Sequence, residues 1–295
     1  MKVGKAFLGR SAMAIVLSLG AGSQVHAEPE TYGGYSIAGV YSSDAARTTD
    51  EELDGSAVVG RAYAGVSFDS GGNETQVQVS SGYYAYFTRE DRWTNRLEAT
   101  QIFEVSDTVQ LFAQAAGATN LVTLERRGTD QAGLEAGIRL EKGDHRATLS
   151  GAMRRRWYDD GDARSWSPRI GAEYRYRIGS WHSVEVGAFS ESVDSDLDTL
   201  NYERLQFAGY YTRPVADRTR LRAGLLHRRW EWDGRFAPDG ANRRERLWIP
   251  QLRLTHRLRD EMSVDLDYRH VIRRSNDERF DRSGNRVAVT FRNSF

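Results

Sequence analysis

Residues 166 to 178 read WSPRIGAEYRYRI. Trp166, Pro168, Ile170, Ala172, Tyr174, Tyr176 and Ile178 alternate with Ser167, Arg169, Gly171, Glu173, Arg175 and Arg177. A period of two assigns the two sets to opposite faces of one β-strand. Val77, Val79, Ser81, Tyr83, Ala85 and Phe87 repeat the pattern, as do Ala132, Leu134, Ala136, Ile138 and Leu140, and Val264, Leu266 and Tyr268. Fourteen such runs are visible, at 33–43, 56–68, 74–87, 93–105, 109–121, 132–141, 146–157, 166–178, 183–192, 202–215, 219–232, 245–258, 262–273 and 285–295. The runs at 33–43 and 183–192 carry the weakest alternation.

The connections narrow the fold further. Those at 44–55, 88–92, 122–131, 158–165, 193–201, 233–244 and 274–284 are long. Those between them are tight: DSGGN (69–73), SDT (106–108), KGDH (142–145), GSWH (179–182), ADR (216–218) and RDE (259–261). An even number of strands with loops alternating long and short predicts an all-β, transmembrane, antiparallel up-and-down barrel of about 14 strands. A soluble β-sandwich would use shorter strands and a drier inner face. Here the non-lipid face carries many charges, which cost several kcal/mol each in a dry core unless paired.

The last run supplies a resemblance. VAVTFRNSF resembles the closing strand of Gram-negative outer-membrane β-barrel proteins, in which Val287, Val289, Phe291 and Phe295 share one parity and the final residue is aromatic. That likeness implies an insertion signal at these four residues, read by the barrel-insertion machinery, and an outer-membrane address. It covers the whole chain after residue 27. DYRHVIRRSNDERFDRSGNRVAVTF (267–291) is also similar to the last hairpin of putative porins, surface lipoprotein assembly modifiers and exopolysaccharide-export barrels. The modifiers carry a helical-repeat domain ahead of the barrel, and the run of strands starting at residue 33 contains none.

At the other end, Lys2, Lys5 and Arg10 precede a short apolar core, Ser11 to Gly20, and Val25-His26-Ala27 offers small residues for cleavage. Residues 1–27 are expected to be a signal peptide cut after Ala27, leaving 28–295 as a single barrel domain. The chain has no cysteine, so neither disulfides nor thiolate metal sites arise. No stretch beyond residue 27 is long and apolar enough for a spanning helix, a test to which barrels are blind.

Charge is distributed unevenly. Residues 28–123 hold 5 arginines against 14 acids, while residues 124–295 hold 32 arginines and Lys142 against 27 acids. Arg154, Arg169, Glu173, Arg175, Arg177, Arg204, Arg222, Arg253, Arg257, Asp265, Asp267 and Arg269 fall on the inward parity and are the candidate pore-lining residues. Chain order is wall order in such a barrel, so one side of the lumen is expected to be basic and the other neutral or acidic. Some of the acids lie in loops, among them Asp50, Glu51, Glu52 and Asp54. The guanidinium fork suits carboxylate and phosphate; an Arg–acid structural network is the competing use of the same residues. The long connections 44–55 and 233–244 are the candidates to fold inward and constrict the lumen.

Trp93, Trp157, Trp166, Trp181, Trp230, Trp232 and Trp248 lie near strand ends and are expected to form aromatic girdles at the two interfaces. The alternative for them is a stacking track for sugars on the inner face. Of the histidines, His145 and His182 fall in tight turns, and His227 lies beside Arg229 on the lipid-facing parity, within reach of lipopolysaccharide phosphates. No arrangement resembles the hydrolytic barrels, so no enzyme activity and no catalytic residue is assigned. DSDLD (194–198) opens like a calcium loop but has Thr199 where glycine is required. No metal, cofactor or nucleic-acid motif is present. The sequence thus leaves three readings. The first is a channel or secretion conduit for hydrophilic solutes or polymers, anionic ones being one option, in contact with outer-membrane lipid and lipopolysaccharide. The second is an export or assembly barrel working with a periplasmic partner. The third is a structural or adhesive barrel with a closed lumen.

Overall fold

The computed structural model describes residues 29–43, 55–158 and 163–295. The expected signal peptide 1–27, the expected cleavage at Ala27 and most of the connection 44–55 lie outside them. Fourteen strands follow one another: β1 (Glu30–Ser42), β2 (Ala57–Asp69), β3 (Asn73–Tyr86), β4 (Arg92–Ser106), β5 (Val109–Val122), β6 (Arg127–Lys142) and β7 (His145–Tyr158), then β8 (Arg164–Gly179), β9 (His182–Ser195), β10 (Tyr202–Ala216), β11 (Thr219–Phe236), β12 (Asn242–Arg257), β13 (Met262–Ser275) and β14 (Arg282–Ser294). Each pairs antiparallel with its neighbours in chain order, and β1 pairs with β14 to close the barrel. Register at the seam runs from Gly34↔Ser294 to Ser42↔Arg286. Gly33 and Phe295 extend it by exchanging two backbone hydrogen bonds of 2.8 and 2.9 Å. Closure is what a membrane demands of strands, because no edge donor or acceptor is left in hydrocarbon.

The six tight connections gather at one end, which also carries both ends of the strand series; the longer ones gather at the other. Gly143, with φ of 59°, shows what glycine gives a tight turn: the left-handed region costs it nothing, whereas Trp181 and Arg218 enter the same region, at 60° and 59°, in two of the others. At the opposite end the strands run further than alternation indicates. β6 begins at Arg127, so the expected connection 122–131 shrinks to 123–126, and β11 runs to Phe236, where it pairs with Asn242. Backbone pairing above the membrane needs no alternating side chains, so these extensions carry no period-two signature. In the β13–β14 connection, Arg279 donates to both oxygens of Asp277 and holds that carboxyl below its ordinary range.

The two faces of the wall differ as the alternation requires. Ile37, Val79, Leu134, Ile170, Phe207, Leu225, Leu252 and Val289 point outward and lie open, Ile170 by 59 %. An apolar surface of this extent would aggregate in water; in a bilayer it is the belt that lipid covers. Val287 and Phe291 share that face with Val289, and Phe291 lies 6.3 Å from the Tyr35 ring across the seam.

Girdle residues flank the belt. On the tight-turn side, His145 Nδ1 meets the Tyr174 hydroxyl at 2.6 Å, and His182 Nε2 meets that of Tyr211 at 2.8 Å. On the other side Trp93 packs near Tyr83, and Trp157, Trp166 and Trp248 face outward. Trp230 and Trp232 do not belong to this girdle. Both share the parity of Arg222 on β11, turn into the barrel and are buried. Trp181 is also elsewhere, in a tight turn beneath the guanidinium groups of Arg220 and Arg257.

Candidate functional site

The inner face is identified by contacts that cross the barrel. Glu125, in the β5–β6 connection, accepts a hydrogen bond from the Tyr202 hydroxyl of β10 at 2.9 Å, with four strands intervening in the wall. Tyr202 shares its parity with Arg204, and the register carries that parity around the barrel. On it lie all the candidates: Arg154 on β7, Arg169, Glu173, Arg175 and Arg177 on β8, Arg204 on β10, Arg222 on β11, Arg253 and Arg257 on β12, and Asp265, Asp267 and Arg269 on β13.

Most of these side chains assemble around a few acids; Arg169, Glu173, Arg177 and Arg257 stand outside those ion pairs. Glu191 of β9, wholly buried, takes an Oε2 bond from Arg204 and receives the Ser167 hydroxyl, Arg156 Nη2 at 3.0 Å and Arg154 Nη1 at 3.5 Å. Arg156 also reaches Glu125 at 2.5 Å and Gln131 at 3.1 Å, so the β5–β6 connection is tied to the same hub. Arg169 lies over the Phe189 ring, 3.8 Å from its centroid. Glu185 binds Arg222 at 2.7 Å and Arg175 at 3.6 Å. Asp267 collects Arg253, Arg269 and Arg286, and Asp265 takes Arg292 at 2.8 Å with Thr255 at 2.6 Å. Burying these charges is tolerable only because each carboxylate is paired and hydrogen-bonded. Arginines outnumber acids at the Glu191, Glu185 and Asp267 hubs, so the wall from β6 to β14 carries net positive charge.

The opposite wall is neutral and polar. Gln76, Gln78, Ser80 and Thr100 line β3 and β4, with Arg96 held by Glu98 at 2.6 Å. The expected asymmetry therefore takes the basic-against-neutral form on the strands, while the acidic loop residues 50–54 lie outside the described residues.

Sequence reading found the hub acid Asp267 but missed the other two, Glu191 and Glu185, and the close partners Arg156, Glu125 and Tyr202. Glu191 and Glu185 share a parity on β9, and this signal was present but lay in one of the weakest runs. Glu125 had no periodic signal, because its inward turn is a tertiary choice of a short loop.

Toward the long-loop end the lumen is lined by packed apolar groups. Leu124, Val193, Tyr202, Trp230, Trp232, Leu247, Ile249 and Val271 form one buried cluster. Val40, Ala57, Val59, Tyr84, Tyr86 and Ala288 form another on the facing wall. Glu245, buried between Arg243 and Arg273, accepts the Trp232 indole N–H at 3.1 Å. Among the described residues the constriction comes from 123–126 and from inward aromatics; of 233–244, most is strand. Cavities remain among the described residues. One of about 300 Å³ lies at mid-barrel beside Arg96, Arg154, Arg156, Arg204 and Arg228. One of about 640 Å³ opens at the tight-turn mouth, lined by Arg61, Tyr63, Trp181, Arg220, Arg257 and Arg292. Among the described residues, no three or more His, Asp or Glu side chains are grouped to hold a metal.

No family model matches the chain, and no curated protein matches it. Solved structures do match, as a fold. The outer-membrane channel DcaP of Acinetobacter baumannii superposes with a TM-score of 0.57 at 11 % identity, covering 92 % of this chain and 99 % of its own. A bacterial polysaccharide outer-membrane secretin gives 0.56 at 13 % identity, covering 89 % and 98 %. An anion-selective porin from Comamonas acidovorans gives 0.54 at 10 % identity, covering 91 % and 100 %. The chain thus has the closed-barrel fold of outer-membrane porins and channels.

Proposed function

We propose that this barrel is a passive outer-membrane channel for small hydrophilic anions, with no chemical step. The observation that carries the reading is the arginine excess around the inner hubs from β6 to β14, facing a neutral polar wall across a cavity lined by arginines. Fixed guanidinium groups raise the local concentration of anions and repel cations, and they match carboxylate or phosphate groups two bonds at a time. The anion-selective porin among the similar folds fits this reading. Purified protein in a planar bilayer under a salt gradient should show discrete conductance steps and a reversal potential of anion-selective sign. A cation-selective sign, or no conductance at all, would overturn it.

A second reading rests on the tight-turn mouth. Trp181 lies there with Arg257 at 4.5 Å and Arg220 at 5.6 Å from its ring, over the larger cavity. Aromatic faces and guanidinium groups together suit an acidic sugar polymer delivered by a periplasmic partner, and one similar fold is a polysaccharide secretin. Saturable block of the conductance by an anionic oligosaccharide added on that side, and its loss in Trp181→Ala, would favour this conduit.

Entry into the membrane is assigned to Val287, Val289, Phe291 and Phe295 as the signal for the insertion machinery. Deleting Phe295 removes the last two backbone bonds of the seam. It should lower the fraction of protein that runs with heat-dependent mobility on a gel; normal insertion of the deletion variant would refute this role.

A further inference from the structure

One feature of the outer face is not used by a channel. The register sets Arg229 of β11 directly opposite Arg246 of β12, and Arg246 directly opposite Arg274 of β13. All three point away from the lumen and are exposed. Like charges directly opposed across strands destabilise a sheet, yet here three arginines stand in one row. Among the described residues neither Arg229 nor Arg246 meets a carboxylate. Arg274 has one partner, Asp281, to which it donates a long hydrogen bond of 3.4 Å. In the next rung Glu231 pairs with Arg244 at 3.0 Å, and Glu203 stands opposite Glu231 on β10, in an ion pair with none of the three arginines.

The height of the row identifies its counter-charge. On β12 the outward residues run from His256 at the tight-turn girdle through Leu254, Leu252 and Pro250 to Trp248 and then Arg246. Ten residues at about 3.3 Å each, tilted by about 40°, rise about 25 Å, the thickness of the apolar belt. The row therefore sits just beyond the belt, on the long-loop side, where lipid head groups lie. Its floor is built of flat groups: His227 stacks on Trp248 at 3.8 Å and 28°. Ile272 lies opposite Trp248 on the next strand. Such a floor meets acyl chains while the guanidinium row above it meets head-group anions.

We infer that Arg229, Arg246 and Arg274 form a binding site for the phosphate groups of lipopolysaccharide in the outer leaflet, with His227 and Trp248 as its apolar floor. Guanidinium binds phosphate bidentately, and three forks on adjacent strands can hold more than one phosphate of the same head group. The bound anion relieves the repulsion within the row, so the lipid also stabilises the β11–β13 wall.

The test uses the full barrel, delipidated in detergent, with lipopolysaccharide titrated as the probe and thermal unfolding as the readout. Lipopolysaccharide should raise the unfolding temperature, dephosphorylated lipopolysaccharide should raise it far less, and inorganic phosphate should leave it unchanged. The double variant Arg229→Ala plus Arg246→Ala should need about twenty-five-fold more lipopolysaccharide for the same shift, at about fivefold per membrane-surface arginine. If this variant fails to fold, Arg229→Gln plus Arg246→Gln, which keeps most of the side-chain packing, serves in its place. Equal stabilisation of wild type and variant, or equal stabilisation by the dephosphorylated lipid, would sink the inference. So would a change of oligomeric state in the variant without any lipid present, which would make the row a contact between copies.

Discussion

At the scale of single residues, the wall is organised by acids that are few, buried and shared. Glu191 serves Arg154, Arg156 and Arg204 together, and its own side chain is sealed from solvent. Removing one member of such a group costs far more than an exposed pair, because the remaining charges stay buried without compensation. Glu191→Ala should therefore destabilise the barrel by about 3–5 kcal/mol in urea unfolding from detergent or liposomes. Glu98→Ala, which breaks the exposed pair with Arg96, should cost about 1 kcal/mol or less. Similar losses from the two substitutions would mean that the Glu191 hub is not a structural centre. The inward glycines act at the same scale. Gly224 lies under the Tyr210 ring, in space where a side chain would collide with it, and this lets the tyrosine lie along the wall with Arg222 at 4.1 Å above it.

Among the elements, the strands were legible and the connections only half so. A period of two survives in sequence wherever one face meets lipid and the other meets water, which is why Ile170 and Arg169 could be placed on opposite faces without a structure. The parity of β11 was equally readable and placed Trp230 and Trp232 inside with Arg222. Their assignment to a girdle followed residue type where parity should have ruled. The inward turn of 123–126 had no such signal, since a four-residue loop shows no period and its direction depends on Arg156 and Tyr202 in distant strands. That connection makes its own prediction. Glu125 holds it across the lumen through Arg156 and Tyr202, so Glu125→Gln weakens a charge-assisted tie to a neutral one. Single-channel recordings should then show a larger mean conductance or more frequent openings than wild type. Unchanged conductance would show that the apolar clusters alone set the constriction.

For the whole molecule, selectivity is a question of how far the charge of the wall reaches. A closed ring of 14 strands spaced about 4.8 Å apart and tilted by about 40° has a backbone radius of about 14 Å. Inward arginines shorten the free radius to about half of that. At about 0.1 M salt the screening length is about 10 Å, longer than this radius, so the field of the β6–β14 arginines fills the lumen. At about 1 M it is about 3 Å, and the centre of the lumen no longer senses the wall. Anion preference should accordingly fall toward unity between these concentrations, while the conductance itself grows. Arg175→Ala plus Arg177→Ala removes two guanidinium groups from β8, one of which, Arg175, leans on Glu185 at 3.6 Å. The double variant should reduce the reversal potential at low salt and be indistinguishable from wild type at high salt. A preference that persists undiminished at about 1 M would require anions to dehydrate onto individual arginines and bind there. The channel would then work as a chain of sites, and the long-range field would contribute little to its selectivity.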